Sequence, residues 1–148
     1  MGPASGGGLG SRTLNVVLPN STTAGTTQFK VAQLTTTGCP TGAPVCVQDA
    51  VVTQNGGDVI GITVSGNPSG TTTSGNAVVA TLGITVCQFD SMGVTALHYV
   101  QINTSSPGLC RDLGTAPPNP LPTRYIGIAL ETITTATTAR VLLNVQQE

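Results

Sequence analysis

Nowhere in these 148 residues does an apolar pattern of helical period persist for more than one or two turns. What recurs instead is a short run rich in Val, Ile and Thr, stopped by Gly, Pro, Asn or Ser. Such runs are LNVVL (14–18), QFKVAQLT (28–35), VCVQDAVVT (45–53), DVIGITVS (58–65), NAVVATLGITVCQF (76–89), LHYVQIN (97–103), RYIGIAL (124–130) and ARVLLNV (139–145). β-Branched residues lose little by being extended, and they pack well on a pleated surface. Asn55-Gly56-Gly57, the stretch GNPSGTTTSG and the Pro-rich connector TAPPNPLPT supply turns and loops between the runs. Short strands at this spacing predict an all-β chain, a small barrel or sandwich forming a single domain over 14–148. In the run 28–35, alternation predicts Phe29, Val31 and Gln33 on one face and Lys30, Ala32 and Leu34 on the other.

Two segments resemble each other. Val59-Ile60-Gly61-Ile62-Thr63-Val64, a Thr-rich loop and Ala77-Val78-Val79 match Tyr125-Ile126-Gly127-Ile128-Ala129-Leu130, a second Thr-rich loop and Arg140-Val141-Leu142-Leu143. Each reads as a hairpin whose first strand carries a central glycine, where a bulge or another backbone comes close.

Charge narrows the functions available. Charged residues make up 7% of the chain and the net charge is −1, against roughly 25% charged residues in an average soluble domain. So little charge gives little repulsion between molecules, which suits a surface packed beside copies of itself. The bases Arg12, Lys30, Arg111, Arg124 and Arg140 are scattered, so no stripe exists to neutralise a nucleic-acid backbone. No apolar stretch approaches the roughly 20 residues of a membrane-spanning helix. The start, MGPASGGGLGSRTLN, lacks the apolar segment of a secretory signal, and the expectation is a protein used inside a cell or one whose signal has been removed. Residues 1–13 form a Gly/Ser-rich arm that should be disordered alone and should gain order on a neighbouring subunit, with Met1, Gly2, Pro3, Leu9 and Arg12 as candidate contacts. Fully extended, such an arm reaches about 45 Å.

No constellation of catalytic residues emerges, so the chain is not expected to be an enzyme. His98 is the only histidine, and its expected role is packing or an interface hydrogen bond, with a Cys–His dyad to Cys87 or Cys110 as the sharper alternative. The carboxylates Asp49, Asp58, Asp90, Asp112, Glu131 and Glu148 are scattered singly. The glycines at 6–8 precede neither a lysine motif nor a helix, so no phosphate loop or other cofactor site is expected. Asn20-Ser21-Thr22 and Asn103-Thr104-Ser105 are formal glycosylation sequons. Cys39, Cys46, Cys87 and Cys110 allow three disulfide pairings, buried free thiols are an alternative, and the spacing does not suit zinc. Should bridges form, neighbours along the chain are expected to pair, Cys39 with Cys46 and Cys87 with Cys110.

The segments around Gly57-Asp58-Val59-Ile60-Gly61-Ile62, Tyr99-Val100-Gln101-Ile102 and Gly127-Ile128-Ala129-Leu130-Glu131, followed by the final Thr-rich hairpin, resemble the β-domains of tailed-phage capsid decoration (cement) proteins. That resemblance spans roughly residues 57–145. It implies a structural virion protein on the capsid surface, a homo-oligomer such as a trimer, that binds and stabilises the major capsid protein lattice and clamps it with its arm. A receptor- or glycan-binding β-domain of a phage fibre or bacterial surface protein is the alternative, although Phe29, Phe89, Tyr99 and Tyr125 are its only aromatics for stacking on sugars.

Overall fold

The computed structural model describes residues 13–51, 59–68, 75–103, 105–115 and 125–145. Every regular element among them is a strand: β1 Thr13–Pro19, β2 Val31–Thr35, β3 Cys46–Asp49, β4 Val59–Ser65, β5 Asn76–Gln88, β6 Tyr99–Ile102, β7 Cys110–Gly114, β8 Tyr125–Ala129 and β9 Thr138–Leu143. The protein is all-β. Its nine strands form one curled antiparallel sheet in the order β3-β2-β4-β5-β9-β8-β6-β7, with β1 paired to β5 off that path. The arm residues Met1, Gly2, Pro3, Leu9 and Arg12 lie outside the described residues, as do the turn at Asn55–Gly57 and most of both long loops. Thr13, expected at the end of the arm, opens β1.

The strand order is nearly a palindrome, and register shows why. β2 runs beside β4 with Ala32 opposite Gly61, and β6 runs beside β8 with Val100 opposite Gly127. Each ladder then slips between that residue and the next, Gln33 or Gln101. Thr63 faces Val79 where Ala129 faces Val141. The turns match as well. Phe29 N–H donates to the Thr63 carbonyl and Leu97 N–H to that of Ala129, both at 2.8 Å. Thr63 and Ala129 return the bond to the carbonyls of Lys30 and His98, both at 2.9 Å. The resemblance between the two glycine hairpins is therefore one part of a tandem duplication. Strands β1 to β5 make the first half and β5 to β9 the second, with the long β5 closing one and opening the other.

Each half rolls up until its first strand reaches its third. Asn20, just past β1, bridges Val47 of β3, and Phe89, just past β5, bridges Cys110 of β7. The central glycines allow the tight curl: a Cβ on Gly61 would collide with the Ala80 carbonyl, and one on Gly127 with the Leu142 carbonyl. The hydrophobic interior follows the same plan. Ala32, Val47, Ala77 and Val79, with Val16, Leu18 and Ile60 against them, fill the first half. A larger cluster around Phe89, Val100, Ile126 and Val141 fills the second and runs back to Val31 and Ile62.

Val31 and Ala32 of β2 fall on opposite faces as expected, but burial does not alternate, since Val31, Ala32 and Gln33 are all buried. Val31 packs into the larger cluster and Ala32 into the smaller, so both faces of the strand are covered. Two strand starts need correcting: none begins at Gln28 or Leu97. Phe29 and Leu97 have φ of 70° and 72°, which ends extended geometry before β2 and β6 can start.

Candidate functional site

The cysteines form two bridges, Cys39–Cys46 and Cys87–Cys110. The first closes the hairpin loop between β2 and β3. The second ties the end of β5 to the start of β7, strands that are not neighbours in the sheet order. Register gives it a counterpart. Leu18 faces Ala77 as Cys87 faces Ala139, and Val47 faces Leu34 as Cys110 faces Ile102. The second half thus carries a disulfide where the first half carries Leu18 and Val47.

His98 is half-buried, and its Nδ1 lies 2.9 Å from both carboxylate oxygens of Asp112. Asp112 also accepts from the N–H groups of Thr95 and Gly114. The first half holds the same device. Asp49 accepts from the N–H and hydroxyl of Thr27, at 2.8 and 2.7 Å, and Lys30 stands where His98 does. Burial raises the Asp49 carboxyl above its ordinary value, opposed by the Thr27 hydrogen bonds and the Lys30 charge. A carboxylate that anchors the turn before β2 and before β6, with a basic residue beside it, is a structural motif in both copies. Since lysine stands at this place in the first half, the turn's geometry does not depend on an imidazole. Moreover, the sulfurs of the dyad considered for His98 are bonded to each other.

Several other polar residues also bond within the fold. Asp90 accepts from the Asn103 side chain and from Met92 N–H, with Arg111 Nε 3.6 Å away. Glu131 accepts from Arg140 N–H and pairs with its side chain. Both sequon asparagines are buried, and each spends its amide nitrogen inside the fold, Asn20 on the Ser21 and Asn67 carbonyls and Asn103 on Asp90. Neither offers a nitrogen for a glycan in the folded chain. Asp58, Glu148, Arg12 and Arg124 lie outside the described residues. Among the described residues no three His, Cys, Asp or Glu side chains come together as a metal site would require.

Two surfaces remain. One is an open groove of about 620 Å³ beside the Cys39–Cys46 loop, lined by residues including Thr23, Gln33, Leu34, Thr37, Val45 and Gln48. No lining residue is charged or aromatic. The other is apolar. Leu14 of β1 and Leu82 of β5 stand directly opposite each other, each 57% exposed. Two residues along β5, Ile84 faces the exposed Leu142 of β9. Met92, Leu97 and Val17 are further exposed apolar side chains. Which apolar residues would face solvent was not legible in the sequence, since strand periodicity places a residue on a face without saying what covers that face. No protein family, curated protein or solved structure matches this chain.

Proposed function

We propose that this protein is a structural virion subunit, a capsid decoration or cement protein that binds the major capsid protein lattice and catalyses no reaction. The observation that carries the reading is the exposed ladder Leu14–Leu82 with Leu142 beside it, on a chain with almost no charge. Exposed apolar patches mark interaction sites, and this one lies on the paired strands that hold the two halves together. The two disulfides suit a protein that must persist outside a cell. A subunit that favours the intact lattice 100-fold adds up to about 2.7 kcal/mol at each occupied site, a term repeated over the whole shell.

Capsids stripped of the protein should rupture and release DNA at a lower temperature than those carrying it, and adding it back should restore them. L82D, at an exposed position, should weaken binding to capsids about tenfold or more while leaving the fold intact. Equal rupture temperatures with and without the protein would remove the cementing role.

A further inference from the structure

Phe29 and Leu97 hold equivalent turns, and both adopt a left-handed backbone that bulky residues rarely accept. In the first half the side chain has a use. Phe29 is half-buried and lines a groove with Val64 of its own half and with Ile84, Thr85 and Val86 of β5. Its carbonyl accepts the Gln88 N–H at 2.7 Å. This stretch of β5 is the first strand of the second half. The groove is therefore the junction of the two halves: the turn of one meets the first strand of the next.

Leu97 is 75% exposed, against a half-buried Phe29. The matching strand surface is also open. Val16 faces Val79 and Thr85 faces Val141, so β1 is the counterpart of this part of β5 and Val17 of Val86. Val17 is 61% exposed. One end of the duplication displays the turn of a junction, and the other displays the strand. We infer that a second copy of this chain docks its β1 against the Leu97 turn of the first, head to tail, repeating between molecules the junction each makes within itself.

The occupant is a second copy because both complementary surfaces belong to this chain. β1 carries no charge, so it meets the turn without like-charge repulsion. Pro19, the counterpart of Gln88, has no N–H, so the backbone bond of the internal junction is not repeated and the contact is made by side chains. Such a contact is heterologous. It closes into a ring if the rotation between copies allows and otherwise extends. The inference deepens the proposed function by saying how clustered copies touch, but its test contains no capsid, so either can fail without the other.

The test is sedimentation velocity on the purified full-length protein from about 10 µM to 1 mM. Wild type should grow beyond monomer mass. V17D and L97D should each weaken self-association about tenfold or more, since each places a charge in an apolar contact. A mixture of the two variants should recover a heterodimer that grows no further, because V17D keeps the turn and L97D keeps the strand. A symmetric contact gives no such rescue. Both positions are exposed, and Asp tolerates a left-handed backbone better than Leu, so unchanged thermal melts are expected. L97N, which adds no charge, serves as a second variant and should also weaken association. A wild type that stays monomeric throughout, or association indifferent to V17D, L97D and L97N, would overturn the inference.

Discussion

The correspondence between Cys87–Cys110 and Leu18–Val47 can be tested by exchanging one solution for the other. Both cysteines are fully buried, and the bridge closes a separation of 23 residues. Loop-closure entropy assigns a bridge of that span about 3 kcal/mol, a large share of the 5–15 kcal/mol typical of a domain. C87S/C110S loses that term and also buries two hydroxyls whose partners are limited to each other and the Gln88 carbonyl beside Cys87, at up to about 1–3 kcal/mol each where those bonds are not made. C87L/C110V loses the same cross-link but restores the apolar pair that the first half uses, offsetting the loss by about 0.8 kcal/mol for each added methylene the interior accepts. Overpacking sets a limit of about 1–3 kcal/mol against that gain. The Leu/Val variant should therefore exceed the Ser/Ser variant by about 2 kcal/mol or more. For a chain of this length that is a difference of about 4–8 °C in Tm. Urea unfolding followed by far-UV circular dichroism, with Cys39–Cys46 intact in both, measures it. If the Leu/Val pair is no more stable than the Ser/Ser pair, the two sites are not equivalent and the duplication does not extend into the interior.

Thr63 offers a second exchange between halves. Among the described residues its hydroxyl is the buried side-chain oxygen with no hydrogen-bond partner, and the equivalent residue is Ala129. T63V should stabilise the protein by about 1 kcal/mol in the same urea assay, and a loss of that size would mean the hydroxyl has a partner. Asp49 gives a pH signature. Its carboxyl is raised above 3.8 by burial, so the folded state binds its proton more tightly than the unfolded chain does. Its contribution to stability is greatest below 3.8 and is lost as pH rises through the folded value. D49N does not titrate and keeps an acceptor for Thr27, so its stability relative to wild type should rise from pH 3 to pH 6. A difference that is flat or falls over that range would contradict the buried-carboxylate account.

Where strands were rich in Val and Ile, the sequence marked them: β4, β5 and β8 fall within the expected runs, and β9 starts one residue before its own. β7 was not expected. Its residues Cys110-Arg111-Asp112-Leu113-Gly114 mix charge with glycine, and the strand exists because Val100 to Ile102 pair with it while Asp90 N–H bonds to the Cys110 carbonyl. That is tertiary pairing overriding weak local preference. The two glycine hairpins were visible as a repeat, but the turns before β2 and β6 were not. Gly25 and Gly93, Phe29 and Leu97, Lys30 and His98, and Gln33 and Gln101 line up only once hydrogen bonds supply the register. The histidine illustrates the cost of missing that. Alone in the sequence it invited a dyad, whereas its partner Asp112 lies 14 residues away on a strand that composition hid.

The duplication also bears on how so weakly charged a protein would act on a shell. A junction made only by apolar side chains is expected to be weak between free molecules, because association must first offset lost translational and rotational freedom. Under the decoration proposal the lattice offsets that loss. A copy held by its Leu14–Leu82 face is placed beside its neighbour at a high effective concentration, so a head-to-tail contact too feeble to matter in dilute solution adds to the binding of both. The two surfaces would then be separable in sequence but coupled in action. L97D would leave the capture of a single subunit unchanged at low occupancy and would flatten any cooperativity as sites fill. L82D would weaken capture at every occupancy. Binding isotherms on stripped capsids distinguish these shapes. Loss of affinity at the lowest occupancy in L97D would mean that the Leu97 turn faces the lattice itself rather than a neighbouring copy.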